Sequence, residues 1–178
     1  RAGLSRLVGV PGSSSQGGGR LDRLIGAPTA GLALLGGCLL VALAVLVTTS
    51  VARRWLTSDA VPGDFELVQQ GLALVVFAFL PRCQWRGANI VVDTFTRRLP
   101  AAVTGAVDAF WALVYALVAA VLAWRLAVGA LETVRSGQTT MVLQLPVGWV
   151  ILACAALAGW LALTAAATAL RDLGRARA

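Results

Sequence analysis

From Ile25 to Ala52 the chain carries no charged residue. A hydrocarbon core of about 30 Å is crossed by about 20 helical residues rising about 1.5 Å each. Inside lipid, each backbone N–H and C=O must find its partner within a helix or a closed barrel. The densest part of this run, residues 30–50, meets the length requirement as a helix. A cleaved signal peptide is the rival reading, because SVA precedes Arg53. The apolar region of such a peptide holds only about 7–15 residues, so the longer run reads as an uncleaved span.

Three further runs follow. Between Glu66 and Arg82 the apolar stretch amounts to about 22 Å of helix, short of the hydrocarbon thickness, and it contains Gln69 and Gln70. This second span, residues 62–81, is expected to begin near Val61–Asp64, to pack its polar end against a neighbour and to let Arg82 snorkel. A re-entrant segment is the alternative. The third span, residues 101–131, follows Pro100 and has Asp108 and Arg125 near opposite edges, as anchors. In the fourth, residues 143–170, Pro146 marks an entrance turn or a kink, and Ala155/Gly159 and Ala162/Ala166 form small-xxx-small pairs. Residues 87–99 place Ile90, Val91, Phe95 and Leu99 at helical spacing, with Asp93, Arg97 and Arg98 largely on other sides. That pattern predicts a short amphipathic helix lying in the interface.

Composition agrees with this reading. Hydrophobic residues make up 58% and charged residues 13%, against about a quarter charged in a soluble domain. A soluble globular protein, a disordered chain and a secreted disulfide scaffold are excluded. The expected fold class is an all-α integral membrane protein with four transmembrane helices plus the interfacial helix between spans two and three. Residues 1–24, with PGSSSQGGG, read as a flexible cytoplasmic tail. Residues 25–171 form the membrane domain, and 172–178 a short cytoplasmic tail.

Every one of the 15 basic residues is Arg, and the formal net charge is +7. The arginines flank the apolar runs, which reads as topology setting and not as a nucleic-acid surface. With four spans and the N-terminus inside, eleven arginines fall inside. Arg53, Arg54, Arg125 and Arg135 fall outside, facing the acids Asp59, Asp64, Glu66 and Glu132. Without the second span the bias reverses, so the arginine pattern supports four spans with both termini cytoplasmic.

No catalytic constellation is present, and the expectation is a protein that is not an enzyme. There is no histidine, hence no Ser-His or Cys-His pair and no HExxH. Cys38, Cys83 and Cys154 are isolated and read as small buried hydrophobes, not as a redox pair or metal site. No cofactor or metal is expected. Span centres hold little that is polar, Thr164 being among the few such residues, so four such helices read as a module that packs against something else.

The order of segments resembles the small membrane subunit (DctQ-like) of tripartite ATP-independent periplasmic (TRAP) transporters. The matching positions are Arg54-Trp55 after span one, Pro62 and Glu66-Leu67 entering span two, and Arg86, Gly87, Ile90, Val92 and Asp93 after it. Leu143, Pro146 and, one place shifted, Trp149 match before span four. Asn89 stands where a His is common, and Phe65 where a second acid is common. The resemblance covers residues 25–170 and implies a scaffold subunit in the bacterial inner membrane. Its implied partners are a large multi-span membrane subunit that carries the solute and, transiently, a periplasmic substrate-binding protein. Uptake would be driven by an ion gradient, usually sodium, with organic acids as substrates. Arg54, Trp55, Glu66, Asp93 and Pro146 would then be structural or subunit contacts. From their own position, Arg82, Arg86, Arg97 and Arg98 are expected to meet anionic lipid headgroups. The competing readings are a self-associating small channel or exporter, and an independent membrane enzyme or redox protein.

Overall fold

The computed structural model describes residues 22–59, 61–86 and 101–176. A single π-helical turn, Asp22–Gly26, leads into α1, Ala27–Thr57. Pro28 lies in the first turn of α1, where its missing N–H costs nothing. Ser58 ends the helix in a left-handed conformation. Helix α2 spans Asp64–Trp85, α3 spans Ala101–Arg135 and α4 spans Val147–Ala176. All four are long and apolar enough to cross a membrane. The 22 residues of α2 measure about 33 Å, because the helix runs on past Arg82 to Trp85. It does so through Pro81, which is fully buried.

Asp64 and Glu66 stand in the first turn of α2, and Arg82 in the last. Each charge opposes the helix dipole at its own end. The predicted interfacial helix at residues 87–99, with Asp93, Arg97 and Arg98, lies outside the described residues.

The helices form a row in the order α1, α2, α4, α3. Helices α1 and α2 run antiparallel along a seam of small residues. A Cβ on Gly36 would lie 3.0 Å from the Ala78 Cβ, and one on Gly71 would lie 2.8 Å from the Leu43 side chain. At the far end Trp85 covers Gly26. Glycine at these points lets the backbones approach closely, as lipid-embedded helices require.

The α3–α4 seam is built from alanine. Buried on α4 are Cys154, Ala158, Leu161, Ala165 and Ala169, and on α3 Ala109, Ala116, Ala119 and Ala130. These recur at intervals of three, four and seven, so each set lies along one stripe. Of the small-residue pairs read from sequence, Ala155 is buried, but a Cβ on Gly159 would meet nothing within 4 Å. The close approach lies instead at Gly148, whose Cβ would fall 2.5 Å from Val134 Cγ2.

Cys154 is buried, whereas Cys38 is exposed. The reading of Cys38 as a buried hydrophobe is therefore corrected. It sits on a helix whose only buried residues are Thr29, Gly36 and Ser50, because α1 packs on a single neighbour.

Candidate functional site: two clasped helix ends

Two clusters of polar side chains tie the helices together, one at each end of the row. The first is built around the start of α2. Gly63 adopts φ 74, a left-handed conformation natural only to glycine, and so turns the chain into the helix. A Cβ there would lie 2.4 Å from Leu143 Cγ, so Leu143 of the α3–α4 turn sits directly on this glycine. One turn further on, the Glu66 carboxylate accepts the backbone N–H of Val142 at 2.8 Å and that of Leu143 at 3.0 Å. The carboxylate thus satisfies both donors of a turn that neither helix can reach.

The turn itself is closed from within. Thr140 N–H donates to the Leu145 carbonyl at 3.0 Å, Leu145 N–H to Thr140 Oγ1 at 3.0 Å, and Val147 N–H to the Gln138 carbonyl at 3.3 Å. Thr139 and Pro146 form an isolated antiparallel bridge, and Gln144 takes φ 52. Pro146 therefore belongs to the turn and ends it just before α4; it does not kink the helix.

Beside this clasp, Ser50 of α1 donates its hydroxyl to the Asp64 carboxylate and accepts the N–H of Val61 at 3.4 Å. Asp64 also accepts the N–H of Phe65 at 2.7 Å. A buried serine on α1 thereby fixes the α1–α2 turn. Arg53 pairs with Asp59 at 3.5 Å, both well exposed, which contributes little to stability. Arg54 and Trp55 are exposed at the end of α1, Trp55 at 85%. Neither contacts the clasp through a hydrogen bond among the described residues.

The second cluster lies at the opposite end. Arg82 Nη1 donates to the Gly26 carbonyl at 3.3 Å, and Thr29 Oγ1 donates to the same oxygen at 2.9 Å. Gln84, buried on α2, donates through Nε2 to Thr168 Oγ1 of α4 at 3.3 Å. Arg86 is exposed one turn beyond Arg82. The row is thus tied α1 to α2 and α2 to α4 at both ends.

Between the ends, Thr164 is buried and its hydroxyl is spent on the Leu161 carbonyl of its own helix. Gln70 Nε2 and Trp160 Nε1 are buried without a hydrogen-bond partner among the described residues. No group of three His, Cys, Asp or Glu that could hold a metal ion occurs among the described residues.

Of the residues singled out from sequence, the structure puts Glu66 and Arg82 into the ties and Pro146 into the turn that Glu66 holds. Arg54, Trp55 and Arg86 lie on exposed surface. Sequence reading passed over Ser50, Gly63, Gln84 and Thr168. Only Gly63 had a local signal, the Pro-Gly pair ahead of an acidic helix start.

Four spanning helices tied at their ends by small polar clusters define a compact multi-pass module of the membrane. Over residues 43–175 the chain matches the family described as tripartite ATP-independent periplasmic transporters, DctQ component. It belongs to that family, and is therefore a TRAP-transporter small subunit, a component of the inner membrane. No curated protein and no solved structure matches the chain.

Proposed function

We propose that this chain braces the large transport subunit of an ion-gradient-driven uptake system, without catalytic activity of its own. The observation that carries this reading is the double clasp. Glu66 holds the α3–α4 turn at one end, and Gln84 holds Thr168 at the other. A row of helices fastened at both ends resists shear between its halves, which is what a stationary support needs. Sodium as the coupling ion, organic acids as cargo and transient docking of a periplasmic substrate-binding protein come with the family resemblance and complete the proposal.

In this reading both termini lie in the cytoplasm, the direction favoured by the arginine distribution. The domain division is a tail to residue 24, the membrane domain to 171 and a short tail from 172. Arg82 and Arg86, with Arg97 and Arg98, face the negatively charged cytoplasmic leaflet, at about 1 kcal/mol each. Arg54, Trp55, Glu66, Asp93 and Pro146 serve structure or subunit contact.

The test is uptake by cells carrying the large subunit and binding protein with and without this chain. Uptake should disappear when the chain is deleted and return with it, and the chain should co-purify with the large subunit. Undiminished uptake in the deletion strain would refute the brace.

A further inference from the structure

Beside the Glu66 clasp, α1 and α2 diverge and leave an open apolar groove of about 380 Å³, lined by Leu40, Leu43, Ala44, Val47, Val68 and Leu72, with Thr48 at its upper edge. The groove is apolar even at Thr48, whose hydroxyl is spent on the Ala44 carbonyl at 2.8 Å. It exists because Gly71 draws Leu43 inward while the neighbouring residues of α1 stay exposed.

What lies above the groove identifies its occupant. On α1 the sets Leu40, Val47, Arg54 and Thr48, Trp55 each recur at an interval of seven, so Arg54 and Trp55 top the same stripe that lines the groove. Seven residues raise Arg54 about 10 Å above Val47. On α2, Phe65, Val68 and Leu72 share the facing stripe, and Phe65 is exposed at the mouth. The neighbouring Arg53 is held by Asp59, whereas Arg54 has no ion pair among the described residues.

A hydrocarbon slot capped by an exposed aromatic pair and an unpaired guanidinium matches one molecule end to end. The geometry points to a resident phospholipid, one acyl chain in the α1–α2 groove and its phosphate on Arg54. A partner helix laid here would bury the guanidinium unless it brought its own anion, whereas a phospholipid carries the apolar chain and the anion at the right separation. Arginine also fits a phosphate with paired donors that a flat apolar helix face lacks. This inference rests on the chain spanning a membrane and stands apart from the bracing role.

The test is photolabelling of the full chain in nanodiscs containing phosphatidylglycerol with a diazirine midway along one acyl chain, followed by peptide mapping. Adducts should concentrate on residues 40–48 and 68–72 relative to the exposed stretch 113–121 of α3. Arg54→Gln should lower groove labelling about fivefold, the equivalent of about 1 kcal/mol for one arginine on a lipid phosphate, while Arg53→Gln leaves it unchanged. Ala44→Trp, which fills the slot, should abolish groove labelling with helix content retained. Equal labelling of groove and α3, or equal effects of the two arginine variants, would overturn the proposal. So would groove labelling that vanishes when the chain is assembled with a large membrane subunit, since a partner helix would then be the occupant.

Discussion

The Glu66 carboxylate accepts the backbone N–H of Leu143, 77 positions along the chain, at 3.0 Å. That bond and its companion to Val142 are how the start of one helix holds a turn between two others. Glu66→Ala is expected to expose both amides, so hydrogen exchange at Val142 and Leu143 should accelerate strongly in the folded protein. Glu66→Gln keeps one acceptor oxygen and should fall between the two. Exchange mass spectrometry in nanodiscs reads this directly, and unchanged protection in Glu66→Ala would show that the turn closes without the clasp.

Gly63 carries two constraints at once, a positive φ and the Leu143 side chain within contact of a would-be Cβ. Gly63→Ala should cost about 1–2 kcal/mol for the left-handed backbone, and more for the clash. Adding Leu143→Ala relieves only the clash. The double variant should therefore unfold later than the two single losses added together would imply, a coupling that a thermal-melt cycle measures.

Gly148 and Gly159 lie on one helix and should respond oppositely. A Cβ on Gly148 would meet Val134 at its side chain and at its backbone nitrogen, 2.9 Å away. The backbone cannot step aside, so Gly148→Ala should cost about 1–3 kcal/mol by overpacking. Gly159→Ala meets open space and should be neutral or stabilising by up to about 1 kcal/mol through helix propensity. Denaturation in mixed micelles would separate the two.

The tie at the Arg82 end is expected to be modest. Thr168→Val keeps the side-chain volume but removes the acceptor of Gln84. Interhelical hydrogen bonds in membranes average about 0.6 kcal/mol and reach about 1.7. A loss in that range is expected in the same unfolding assay, and a loss well beyond it would mean that Gln84 organises more of the seam than this one contact.

The helices were legible because a bilayer demands long charge-free runs, and the runs announce themselves. Helix boundaries were less so. Residues 143–146, Leu-Gln-Leu-Pro, are apolar enough to join the fourth span on hydropathy, yet Gln144 turns left-handed and Pro146 bridges back to Thr139. The clasp was only half legible. The polar start of the second span called for a neighbour, but the partners of Glu66 are backbone N–H groups, which no residue type betrays. The position of α4 between α2 and α3 was hidden for another reason. Alanine and glycine are spread through both α3 and α4, so small-residue spacing could not say which stripe faces which helix, and Gly159 proved to face open space.

The row order has a consequence for biogenesis. Helix α4 lies between α2 and α3, so the seam joining the first hairpin to the second is made by the fourth span and by nothing translated before it. The two hairpins must enter the bilayer as separate, loosely associated pairs. They lock only when Val147–Ala176 slides in between, and until then Gln84 waits in lipid without Thr168.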